Sequence, residues 1–150
     1  MINTPITRRA KEIAESVFAG KTDVTGYPYM RMRVAVAEQM EDEYTTAIAL
    51  LMDVYDYSEL TEFSLIKEGM PMRVAYALSR MKQREGEPHW SYIVRLIEDD
   101  ELVYPVAQAA AAYLGNLENY KEFTVEAIAE RDHYALRYRF LKQYHDDKDL

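Results

Sequence analysis

The chain of 150 residues has no cysteine and only three histidines. Without cysteine there is no disulfide framework, thiolate zinc site, iron–sulfur cluster or cysteine nucleophile. The histidines, His89, His133 and His145, are far apart in the chain, so a His-ligated metal would require them to converge in space. Basic residues are also in short supply: 18 Lys and Arg face 26 Asp and Glu, a formal net charge of −8. That balance argues against a nucleic-acid binder, which needs a basic stripe against phosphates. No apolar run approaches the roughly 18 residues of a membrane span. The start, MINTPITRRAKE, lacks the apolar stretch of a secretory signal. The expectation is a soluble, cytoplasmic chain that contacts neither membrane nor nucleic acid.

Glycine and proline are sparse as well, five of each, and they punctuate periodic segments. What the chain has in quantity is hydrophobic residues (49%), with 13 Tyr and 8 Met among them. Such a content supports a packed interior and argues against disorder. Tyr and Met fill irregular interior space, and Tyr can carry a hydroxyl to a pocket wall. The length fits one domain, residues 1–150.

The apolar spacing is helical almost throughout. Thr4 is an N-cap with Pro5 at the first helical position, and Gly20 ends that helix. Residues 20–28 form a polar loop. A second helix follows Pro28, with Val34, Ala37 and Met40 inside. A third starts after Asp42 and reaches about Tyr55. Thr61 caps a short helix ending at Gly69, and Pro71 opens another through Met81. After the KQREGEP loop, Trp90, Ile93, Val94 and Ile97 mark a further helix. Pro105 opens an alanine-rich helix that Gly115 ends. A long helix after Thr124 has Ile128, Leu136, Phe140 and Tyr144 as inward candidates, with a frayed DDKD end. No alternating β-branched run is bounded by turns, so the fold class is all-α, a helical bundle.

One order of elements goes beyond a generic bundle. Gly20-Lys21-Thr22-Asp23 precedes Gly26 and Pro28-Tyr29. Next come Ala49-Leu50-Leu51, then the loop Arg84-Glu85-Gly86-Glu87 followed by Tyr92-Ile93. In type and spacing this resembles the HD-domain superfamily of small metal-dependent phosphohydrolases. The nearest branch is similar to the hydrolase domain of stringent-response enzymes, which act on guanosine tetraphosphate and pentaphosphate. The resemblance covers residues 20–116, with 117–150 as closing C-terminal helices.

The resemblance implies a metal site of four ligands: a His after the Pro-Tyr pair, a His-Asp dipeptide ending the third helix, and a later Asp. Imidazole and carboxylate there hold a divalent ion that lowers the pKa of a bound water. In this chain the corresponding residues are Met32, Met52-Asp53 and Ala112, the last placed four residues before Asn116. One ligand, Asp53, survives. The acidic pair of the nucleotide-specific branch, in Val-Val-Glu-Asp-Thr, reads Val54-Tyr55-Asp56-Tyr57-Ser58, leaving Asp56 alone. Ala109, Ala110 and Ala111 stand where basic or polar residues would be.

All three lost ligands became apolar, as a pocket that no longer holds an ion requires, because an unpaired buried imidazole or carboxylate is costly. The expectation is a catalytically degenerate HD-like binding or regulatory module with no catalytic residue, metal or cofactor. Asp53 is then either a helix-end group paired with Arg31 or Arg33, or a polar anchor in a vestigial pocket. In the second case Asp56, Tyr55, Tyr57 and Asn116 would form the rim around Met32, Met52 and Ala112. The partner would be a protein or a small nucleotide. One alternative is a phosphohydrolase with a reduced ligand set. Another is a self-associating helical protein joined through exposed Tyr residues and Trp90 as a homo-oligomer.

The remaining motifs favour bland readings. His145-Asp146 is the sole His-Asp pair, but it lies in the last helical turn, where the helix dipole favours a His. Met30-x-Met32 and Met70-x-Met72 alternate across helix starts, so their sulfurs diverge and copper capture is disfavoured. No phosphate-binding glycine loop or nucleophile elbow occurs.

Overall fold

Local capping sets where the helices begin. Thr4 and Thr7 exchange hydrogen bonds, Thr7 N–H to Thr4 Oγ1 at 3.2 Å and Thr4 N–H to Thr7 Oγ1 at 2.8 Å. This closes a capping box at the start of α1 (Pro5–Phe18). Pro28 precedes α2 (Tyr29–Glu38) and Asp42 caps α3 (Glu43–Leu51). Thr61 caps α4 (Glu62–Lys67), and Pro71 leads into α5 (Met72–Met81). Pro88 leads into α6 (His89–Glu98), and Pro105 lies in the first turn of α7 (Tyr104–Leu114). A 3-10 turn (Leu117–Asn119) then connects to α8 (Val125–Asp147), capped by Thr124. The computed structural model describes residues 1–148, and among these the only β pairing is an isolated bridge between Thr22 and Pro28. The protein is all-α.

α3 is the hub. Every residue from Thr45 to Leu51 is buried, and the helix packs against α1, α2, α5 and α7. A helix apolar on all sides has to be surrounded in this way. α8 closes the bundle against α6 and α7. At the end of α7 the two backbones nearly touch: a Cβ on Gly115 would lie 3.0 Å from Ala135 Cα and N and from Ala111 O. Among the described residues no helix is long and apolar enough to cross a membrane.

Several inward faces differ from those expected. α3 ends at Leu51, short of Tyr55, because the chain reverses through Asp53 at φ +67°. α2 buries Met32, Arg33, Val36 and Ala37, while Val34 and Met40 are only partly covered. An arginine on the inner face hid that register. In α6 the buried positions are Tyr92, Ile93, Leu96 and Ile97, and Trp90 and Val94 face out. α8 buries Ala127 and Leu141, with Tyr134 and Tyr138 packed against the core. Ile128, Leu136 and Tyr144 are exposed. The acidic end is helical through Asp147, and Lys148 donates to Ile97 O at 2.7 Å. Asp149 lies outside the described residues.

Candidate functional site

The reversal after α3 builds the site. Leu51 and Met52 finish an apolar helix, and the left-handed Asp53 turns its carboxylate back toward α2. Asp tolerates that conformation better than most residues because its short side chain bonds locally. The partner is Arg33, which is fully buried. Its Nη2 lies 2.7 Å from Asp53 Oδ2, its Nε donates to Met52 O at 3.1 Å and its Nη1 to Tyr29 O at 3.1 Å. The guanidinium also lies over the rings of Phe18 and Tyr29, 4.3 and 4.7 Å from their centroids. Arg33, not Arg31, is thus the ion-pair partner. Arg31 lies over the Tyr27 ring.

On the other side of Asp53 a small cleft of about 100 Å³ opens. Met32, Met52, Asp53, Tyr55 and Asp56 all line it. The other three expected members do not. Tyr57 packs edge-on against Phe18 and Tyr29, with centroids at 5.8 and 5.2 Å, behind the Arg33 pair. Asn116 caps the 3-10 turn, accepting from Glu118 N at 3.1 Å. Ala112 is replaced in the wall by Ala107, Ala110 and Ala111. Successive residues of a helix point about 100° apart, so a one-residue shift moves the position off the cleft.

Sequence reasoning missed the basic wall of this cleft. Lys82, just past α5, lies 3.1 Å from Asp56. Arg137 and Tyr134 come from α8, and Tyr92 comes from α6. Arg137 lies over the rings of Tyr92 and Tyr134, at 5.3 and 5.1 Å, and Nη2 is 3.2 Å from His133 Nε2. Its Nε is buried with no hydrogen-bond partner among the described residues. The spacing of Tyr134, Arg137, Tyr138 and Leu141 marks one helical face, and it was the available signal.

Burial dominates the electrostatics. Desolvation raises the Asp53 carboxyl above its usual value, and Arg33 opposes the rise. The phenols of Tyr55 and Tyr92 are pushed up to about 12 by desolvation, and they donate to Ala75 O at 2.9 Å and Met81 O at 2.7 Å. Desolvation also lowers both His133 and His89, with Arg137 the second cause for each. These two rings are neighbours after all, with centroids 6.1 Å apart.

The donor set of the cleft does not fit a divalent ion. Its carboxylates, Asp53 and Asp56, are each already paired with a cation, and no imidazole lines it. Among the described residues no three His, Cys, Asp or Glu side chains are grouped to hold an ion. His145, in the last turn of α8, is committed elsewhere: Nε2 is 2.6 Å from Asp100 Oδ1, and the ring stacks on Tyr104 at 3.8 Å. Met70 is buried and Met72 exposed, so those sulfurs diverge as expected.

The fold and cleft together define an all-α protein with a mixed-charge, methionine-walled pocket. No protein-family model matches the chain, and no curated protein matches it.

Proposed function

We propose that the chain is a non-enzymatic binding module on an HD-like helical scaffold whose metal cage has been replaced by apolar side chains. The observation that carries this reading is the convergence of Met32, Met52 and Asp53 on one cleft. The resemblance assigns those positions to three of its four ligands. The fourth falls to the α7 wall, where Ala111 is the lining residue next to Ala112. Apolar groups there remove the need for an ion, because a buried imidazole or carboxylate without one is costly. The surviving carboxylate is compensated by Arg33 instead. A concave, largely apolar site with a few convergent polar groups is the usual form of a small-molecule site.

Two measurements on the whole chain test the reading. After dialysis against manganese, metal content is expected to be far below one ion per chain. Guanosine tetraphosphate and other nucleoside polyphosphates, offered with a panel of divalent metals, are expected to show no turnover above an Asp53→Ala control. Stoichiometric, tightly held metal or Asp53-dependent turnover would overturn it.

A further inference from the structure

The charges around the cleft do not balance. Asp53 is paired with Arg33 and Asp56 with Lys82, which leaves two neutral pairs. Arg137 remains: among the described residues no carboxylate lies within ion-pair distance of it, and its contacts are two tyrosine faces and a His133 nitrogen. Arg137 lines the cleft, is held against aromatic faces and has no carboxylate partner among the described residues, so its guanidinium can receive an anion. Among the described residues the phenol of Tyr134, from the same helix, donates no hydrogen bond, and it lines the same cleft. The opposite wall is apolar and adaptable: Met32, Met52, Leu78, Met81 and the alanine face of α7.

We infer that the cleft binds a small organic monocarboxylate with an apolar body, its carboxylate on Arg137 and Tyr134 and its hydrocarbon against the methionine and alanine wall. The inference rests on the binding-module reading and specifies its ligand. Counting the buried Arg33 that neutralises Asp53 from behind the wall, the five charges sum to +1, and one negative charge on the ligand brings them to neutrality. A phosphate monoester, with up to two charges, would leave an excess negative charge beside Asp53 and Asp56, whose like charge repels it. An amine would place a second cation against Arg137. The guanidinium matches a carboxylate in a bidentate geometry.

Three probes with the same tail and different heads separate these outcomes: hexanoate, hexyl phosphate and hexylammonium. Each is titrated into the full chain above neutral pH, with backbone and arginine Nε–H resonances followed by nitrogen–proton correlation spectra. Hexanoate is expected to bind in preference to the other two and to shift the Arg137 Nε–H resonance. Arg137→Gln should weaken it about tenfold or more, the cost of one charge-assisted contact. Ala110→Phe, which fills the cleft, should abolish binding. Should Arg137→Gln lose its fold, Ala110→Phe together with Tyr134→Phe, expected to weaken hexanoate severalfold, decides the matter. Tighter binding of the phosphate or the amine, blocked by Ala110→Phe, would overturn the carboxylate assignment and leave the binding cleft intact. Hexanoate binding indifferent to Arg137 and Ala110, or no binding of hexanoate, would also overturn it. Failure of the metal-free reading shows separately, as manganese content.

Discussion

Replacing Arg33 with methionine tests the packing logic beneath the cleft. Arg33→Met keeps most of the volume, so the loss is chiefly polar. One buried backbone acceptor, Met52 O, loses its donor, while Tyr29 O loses a side-chain donor but keeps the helical bond from the backbone N–H of residue 33. The unsatisfied Met52 O costs on the order of 1 kcal/mol or more. The pair with Asp53 adds little, about 1 kcal/mol at most, because half of that side chain remains accessible and its charge can rehydrate. Loss of the aromatic contacts to Phe18 and Tyr29 adds about 1 kcal/mol. Against these stands relief from burying a guanidinium, which favours the variant. The net expectation is a loss of roughly 1–3 kcal/mol, or about 5 °C in Tm for a chain of this size. Urea unfolding followed by circular dichroism measures it, provided the transition is two-state. The cycle is completed by Asp53→Asn, which retains tolerance for the left-handed turn, and by the double variant. We expect Asp53→Asn to be clearly destabilising when Arg33 is present, because it leaves that buried guanidinium unpaired, and nearly neutral in the Arg33→Met background. A loss below about 1 kcal/mol for Arg33→Met, or purely additive effects, would refute the reasoning.

Other consequences follow from single contacts. Gly115→Ala would drive a methyl to 3.0 Å from the Ala135 backbone, so it should cost roughly 1–3 kcal/mol by forcing α7 and α8 apart, measurable by the same urea titration. His89 and His133 both titrate below their ordinary value of 6.5 in the folded chain. The unfolded chain therefore binds more protons in the window just below 6.5. Stability is full above 6.5 and falls as pH drops through the lowered folded values. Tm measured across that window should decline, and His133→Asn should flatten the decline. A Tm independent of pH there, in the parent chain, would count against the lowering of these two histidines by partial desolvation and by the nearby Arg137. The raised Asp53 carboxyl acts with opposite sign, above the usual 3.8, so Asp53→Asn should alter the acid limb of the same profile.

Helix boundaries were largely legible because they are written in local chemistry. Thr4, Asp42, Thr61 and Thr124 each cap the helix that follows through their own side chains. The end of α3 was not legible, since nothing local distinguishes a left-handed aspartate from a helical one; the reversal is held by Arg33, twenty positions earlier. Five of the eight expected members, Met32, Met52, Asp53, Tyr55 and Asp56, line the cleft. Arg137 was missed because a long helix with mixed residues offers several faces, and only packing against α6 and α7 chooses among them. Ala112 was placed from the resemblance, by its distance from Asn116, and the helix turns Ala111 to the cleft instead.

That one-residue shift supplies the most direct test of the central claim, that apolar residues occupy a former metal cage. Manganese binding is measured by calorimetry for the parent chain, for Met32→His/Met52→His/Ala111→Asp, and for the triple variant carrying Ala112→Asp instead. The account predicts one ion per chain for the Ala111 variant, weaker or no binding for the Ala112 variant, and none for the parent. A folded Ala111 variant that takes up no metal, or a parent chain that binds one ion tightly, would contradict it.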